Sequence, residues 1–261
     1  MTRIDERVST HVYKVKRISK EEMESIAGVC VYDQPPFCNA ACPLKLDVKA
    51  MLKAAAENDF KKAFKIYESI APFPLILSAG CGAPCEEKCR LCELGDGIAI
   101  GDIERAVALS GGAGEKRSIF RVRKKKKAAV FGSGLFALLL AGELEKKGYP
   151  VTAICGEADE EEYLRVAAGV LREDDFYTEL KRLRGKDIAF EFNAEMTREL
   201  FEEKRGGFDV LCASEKAALD IFPGAVRDEG IMLMESEGLL TGGGETVLEA
   251  ALGARKAALT A

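Results

Sequence analysis

The sequence predicts an α+β protein of two domains, a helical one over residues 1–120 and an α/β one over residues 121–261. Three observations support this. Apolar residues up to position 120 recur at helical spacing, with little strand-like alternation. After position 128, strand patterns and helix patterns take turns. Between them lies "KRSIFRVRKKKK", residues 116–127, with eight basic side chains. This run sits at a break in composition. Residues 1–120 carry 17 basic and 17 acidic side chains, whereas residues 128–261 carry 15 and 26. A linker is expected at such a break.

Taken in order, "SKEE" at residues 19–22 is a capping box, with Ser19 as cap and Glu22 three places on, so a short helix should run toward Cys30. "VYDQPPFCNAACP" contains Pro35, Pro36 and Pro43 and reads as loop with short turns at most. "KLDVKAMLKAAAENDFKKAFKIYESI" reads as two helices. Asp47 caps the first, Asn58 or Asp59 separates them, and Val48, Met51, Leu52, Ala55, Phe60, Phe64 and Tyr67 form the apolar stripe. "APFPLILSAG" breaks the pattern, and "SGGAGEK" is a flexible stretch before the basic run. In the second half, "KAAVFGSG", "YPVTAIC", "KDIAFEFN" and "FDVLCAS" are strands. "LFALLLAGELEKKG", "DDFYTELKRLRG", "MTRELFEEKRG" and "ETVLEAALGARKAAL" are helices. Strands alternating with helices imply a parallel sheet.

The chain is 48% hydrophobic and 31% charged, a soluble balance. No apolar run approaches the roughly 20 residues of a membrane helix, and "MTRIDERVST" lacks an apolar signal core. These features predict a cytoplasmic protein that keeps its thiols reduced. No aromatic residue beyond Phe120 interleaves the basic run, so nothing points to nucleic acid. The run is read either as a solvated connection or as a docking patch for an acidic partner such as a ferredoxin.

Seven of nine cysteines lie between residues 30 and 92: Cys30, Cys38, Cys42, Cys81, Cys85, Cys89 and Cys92. Cys155 and Cys212 stand apart in strand patterns and read as buried strand residues. Thiol clusters with few histidines suit zinc or iron–sulfur centres, and the single histidine, His11, is far from the cysteines in sequence and reads as an ordinary residue. Zinc sites favour paired C-x2-C knuckles. Here the spacing is mostly C-x3-C, and Pro43 follows Cys42 as proline follows cysteine in ferredoxin runs, which favours iron–sulfur.

The stretches "ISKEEMESIAGVCVYDQPPFCNAACPLKLDV", "FPLILSAGCGAPCEEKCRL" and "IAIGDIE" resemble the N-terminal domain of the glutamate synthase small (β) subunit. The same domain occurs in dihydropyrimidine dehydrogenase and in the large subunit of NADH-dependent ferredoxin:NADP oxidoreductase. The resemblance implies a helical domain with two 4Fe–4S clusters that draw ligands from both cysteine groups. Carried over, one cluster would use Cys30, position 33, Cys38 and Cys89, and the other Cys42, Cys81, Cys85 and Glu104. Position 33 is Asp33, where the family has cysteine, and Cys92 is extra. Asp33 or Cys92 would complete the first site, or one corner stays open. Glu104 is either a ligand or an exposed carboxylate on a first helical turn.

"VFGSGLFA" fits G-x-G-x-x-A through Gly132, Gly134 and Ala137, after a strand and opening a helix. The resemblance implies a Rossmann-like FAD-type domain here, in reduced form. Its motifs have departed: Cys155 stands where an acid should bind ribose, with Glu157 two places on. "EEYLR" brings Glu161 and Glu162 where the family has a glycine pair, and Gly244–Glu245 replaces a glycine–aspartate pair before "TVLEA". The family's second, NAD(P)H-binding domain has no counterpart.

Three functions are weighed. The first is an iron–sulfur electron-transfer subunit in a hetero-oligomer with a larger oxidoreductase subunit, its α/β half either keeping FAD or serving as a docking scaffold. The second is a self-sufficient NAD(P)H-oxidising flavoprotein, and the third a zinc-binding structural adaptor. No catalytic acid, base or nucleophile stands out.

Overall fold

The computed structural model describes residues 17–31, 36–111, 123–169, 171–223, 233–234, 239–243 and 246–261, with 233–234 described by backbone alone. His11, Asp33, Gly244, Glu245, the 116–122 part of the basic run and the boundary at 120 lie outside the described residues.

Helix α1, Lys20–Gly28, starts at the predicted capping box. Ser19 Oγ accepts from Glu22 N at 3.1 Å, and Glu22 Oε2 accepts from Ser19 N at 2.8 Å. The expected loop around Cys38 contains a five-residue helix, α2, Phe37–Ala41, entered from Pro36. Asp47 caps α3, Val48–Ala56, and Asp59 caps α4, Phe60–Glu68, with Asn58 at φ 59° turning the chain between them.

The stretch read as a break, "APFPLILSAG", instead holds helix α5, Pro74–Gly80. Pro74 sits in its first turn, where the missing N–H costs nothing, so the proline starts the helix and does not stop it. Two short 3-10 turns, Glu86–Lys88 and Arg90–Glu93, carry the second cysteine group. Helix α6, Ile100–Ser110, follows.

The second half is the expected parallel sheet. Strands β1 (Ala128–Phe131), β2 (Val151–Ile154), β3 (Ile188–Glu191), β4 (Val210–Ser214), β5 (Leu233–Met234) and β6 (Leu239–Gly242) lie in the order β3-β2-β1-β4-β6-β5. All neighbouring pairs are parallel except β5–β6. The order reverses between β1 and β4, and such switch points are where open α/β sheets bind ligands.

Helices α7 (Leu135–Lys146), α9 (Glu173–Arg184), α10 (Arg198–Arg205) and α12 (Val247–Thr260) lie where the pattern places them. Helices α8 (Glu160–Ala167) and α11 (Glu215–Ile221) were not expected, although Asp159 and Ser214 cap them in the usual way.

Side chains alternate across the sheet. Ala128 and Val130 face one core, while Ala129 and Phe131 face a smaller one with Phe201, Ile221 and Phe222. The larger core runs unbroken from α1 through α6 to α7, α9 and α12. The helical half thus packs on the helices that cover one face of the sheet. At Gly80 a Cβ would lie 2.1 Å from Val247 Cγ2, so α5 and α12 touch backbone to side chain.

Two buried charged groups tie the halves together. Glu179 on α9 is wholly enclosed and accepts from the amides of Leu75 (2.8 Å) and Ile76 (3.4 Å), while Arg182 Nη1 donates to its other oxygen at 3.0 Å. A carboxylate here also suits the positive end of α5. Arg105 on α6 donates to Leu75 O (2.9 Å) and Ser78 Oγ (3.3 Å) and pairs with the buried Asp175 of α9. Among the described residues no helix is long and apolar enough to cross a membrane.

Candidate metal centre

Short, tightly held elements position the cysteines. On α2, Cys38 and Cys42 stand one turn apart, with Cys42 N donating to Cys38 O at 3.1 Å. Between them Asn39 anchors the turn to the start of α3: Lys49 N donates to Asn39 Oδ1 at 2.9 Å, and Asn39 Nδ2 donates to Asp47 Oδ1 at 2.8 Å. Cys81 ends α5, its N–H held by Leu77 O at 2.8 Å. The chain then passes through Ala83 at φ 46° to Cys85, at the start of the first 3-10 turn, and Cys89, between the two turns. Glu86 Oε1 accepts from Gly101 N at 2.7 Å and pins this loop to the first turn of α6, which carries Glu104.

The thiols fall into two neighbourhoods. Cys30, Cys38 and Cys89 line one small hollow, open to solvent, with Lys88 and Arg90 in its wall. Burial is the largest cause pushing the Cys38 thiol above its ordinary pKa, and the negative charge of Cys30 and Cys89 adds to it. Cys42, Cys81, Cys85 and Glu104 form the other. Burial first, and then the Glu104 carboxylate, push Cys81 up to about 12. The same two causes raise Cys85 and Cys42. Glu104 is 3% exposed, so the surface-carboxylate alternative is excluded; burial, with Glu86 nearby, raises it to about 8.

Cys92 is exposed, and its Sγ faces Glu86 O at 3.4 Å; it is not in the wall of the first hollow. All nine cysteines are free thiols, and Cys155 and Cys212 are fully buried.

The donor set suits iron–sulfur centres. Buried thiols that raise each other's pKa are stabilised as thiolates by bound metal. Among the described residues no three Cys, His, Asp or Glu side chains are close enough to hold a single ion. A cubane is a wider object that takes one ligand per corner, and a spread ring of donors is what it requires.

The dinucleotide turn is kept as backbone. Gly132 and Gly134 both sit at φ 90° between β1 and α7, a conformation that side chains disfavour. Two contacts lie next to it. Ser133 donates to the Glu157 carboxylate, which sets a negative charge beside the turn where a pyrophosphate would bind. Phe136, 4% exposed, presses its ring into the crease between α7 and the β6–α12 turn, 2.6 Å from where a Cβ at Gly242 would stand and 3.3 Å from one at Gly253. Ala137 packs as expected, fully buried. Gly244 and Glu245, the other two residues expected at this site, lie outside the described residues.

Residues 7–112 match the family described as dihydropyrimidine dehydrogenase domain II, 4Fe–4S cluster, and this stretch is a 4Fe–4S domain of that kind. The chain is also distantly related to oxidoreductase subunits. It is 28% identical over 230 residues to the NADPH-Fe(3+) oxidoreductase subunit beta of Geobacter sulfurreducens, covering 83% of this chain and 33% of that protein. Identity is 28% over 159 residues to the NADP(+)-dependent formate dehydrogenase subunit beta of Moorella thermoacetica (51% of this chain, 21% of that one). It is 29% over 146 residues to the glutamate synthase [NADPH] small chain of Azospirillum brasilense (52% and 29%). The chain thus spans a third or less of the length of these relatives.

Sequence reasoning missed the support around the thiols. Glu86 and Glu179 carry no motif; their roles depend on amides distant in sequence. Tyr67 was legible only as a member of the α4 stripe, although a hydroxyl on a core-facing stripe is itself a signal.

Proposed function

We propose that the chain is an electron-transfer subunit of a larger oxidoreductase, with two 4Fe–4S clusters held in the helical region, 1–120, and a reduced α/β domain, 121–261, as scaffold. Each cluster supplies a one-electron carrier. The observation that carries this reading is the separation of the donors into an open group and a buried one. Cys30, Cys38 and Cys89, with Asp33 or Cys92, hold the solvent-facing centre, where a partner can approach. Cys42, Cys81, Cys85 and Glu104 hold the inner one and keep water from it. Lys88 and Arg90 stand beside the outer group and favour the more negative, reduced state there.

The relatives' names support a role within an assembly. Subunits "beta" and "small chain" work beside other chains, so a hetero-oligomer with a larger oxidoreductase subunit, or with a ferredoxin, fits this protein. A reducing cytoplasm suits such free thiols. The α/β half positions the inner group, since Glu179 of α9 caps the helix that ends at Cys81. The lack of a second glycine-rich fingerprint in the sequence argues against a self-sufficient flavoprotein.

Iron, acid-labile sulfide, zinc and flavin should be measured on the full chain purified without oxygen. A brown protein with about eight irons and about eight sulfides per chain, without stoichiometric flavin, is expected. A colourless protein carrying zinc overturns the reading in favour of a structural adaptor.

A further inference from the structure

Helix α4 packs its buried side on α3 and α6, and Tyr67 lies near its C-terminal end. The residue is wholly enclosed, and its hydroxyl has no hydrogen-bond partner. Burying the ring is favourable, but an O–H removed from water needs an acceptor. The negative groups that bear on this phenol are Glu104, Cys81 and Cys42, three of the four donors of the inner group. The hydroxyl is unpaired, on a helix packed against α6, which carries Glu104.

We propose that the Tyr67 hydroxyl donates a hydrogen bond to a sulfur of the iron–sulfur cluster held by Cys42, Cys81, Cys85 and Glu104, and so raises that cluster's reduction potential. The proposal rests on the reading that a cluster occupies the inner group. Reduction adds one electron and one negative charge at this place, drawn from an external reductant. A sulfur carrying more negative charge is a better acceptor, so the bond favours the reduced state. The proton stays on the phenol, because burial and the surrounding carboxylate and thiols all oppose its loss. Tyr67 is thus a positioning residue: it sets a potential and takes part in no bond exchange.

Tyr67→Phe removes the O–H and keeps the ring. The full chain and this variant, both purified without oxygen, should be titrated with dithionite and mediator dyes and followed by electron paramagnetic resonance. Unchanged iron content is expected, with one of the two potentials lowered and the other unmoved. In parallel, Fe–S stretching bands of the wild-type chain should shift in D2O, and that shift should be lost in the variant. A fully loaded variant with both potentials unmoved overturns this proposal and leaves the cluster reading standing. A wild-type chain without iron overturns both. Should the variant lose its iron, the D2O shift of the wild type decides: its absence overturns the proposal.

Discussion

The two halves of this chain have kept different things. The helical half keeps donors: seven thiols and a buried carboxylate, on short helices and turns, several of them pinned by side-chain bonds. The α/β half keeps its backbone, with parallel strands, a switch point at β1 and β4 and a glycine turn at φ 90°, while the side chains around that turn have changed: Ser133 bonds the Glu157 carboxylate and the Phe136 ring packs on Gly242. A metal site is a set of atoms and persists as long as those atoms do. A nucleotide site is a shaped space, and one ring or one carboxylate changes it. The sheet still contributes, because Glu179 and Asp175 reach across from α9 to hold α5 and α6.

The largest expected effect falls on the donors. Cys85→Ser should remove the inner centre and about half of the iron, while the outer centre's signal persists. Loss of all iron would show that the two groups fold as one site.

Next comes the tie between the halves. Glu179→Ala leaves Arg182 without its buried carboxylate and two α5 amides without an acceptor. A loss of about 3 kcal/mol in urea unfolding is expected, together with faster loss of iron from the inner centre on exposure to chelator. An unchanged unfolding midpoint would separate the halves energetically.

These two cases show how much of the molecule could be read from the residues. The capping residues Ser19, Asp47 and Asp59 announced their helices, because capping is local chemistry between neighbours in sequence. Cysteine spacing favoured iron–sulfur over zinc, and the division of the ligands into two sets came from the resemblance alone. Helix α5 was misread because Pro74 can begin a helix as readily as end one, and which it does depends on the capping carboxylate of Glu179, 104 residues away. The change around the glycine turn was half visible. Glu157 was seen as a misplaced acid, but the place of Phe136 against Gly242 exists only after β6 and α12 have packed.

A comparable effect tests the glycine turn. The wild-type chain incubated with FAD and desalted should retain no stoichiometric flavin, and Phe136→Ala should cost about 3 kcal/mol as a buried ring is removed. Tight flavin binding by the wild type would break the contrast between the halves. The smallest effect is expected at Cys92, whose thiol faces the Glu86 carbonyl at the surface. Cys92→Ala should leave iron content unchanged, which would leave Asp33 or an open corner at the outer centre. Loss of the outer centre would instead assign that corner to Cys92.

The most direct test of the account is spin counting. The full chain, purified without oxygen and reduced with dithionite, should give a resonance signal that integrates to about two spins per chain, one for each donor group. A signal of one spin, or a reduced chain with none, would contradict the claim that these cysteines form two separate redox centres.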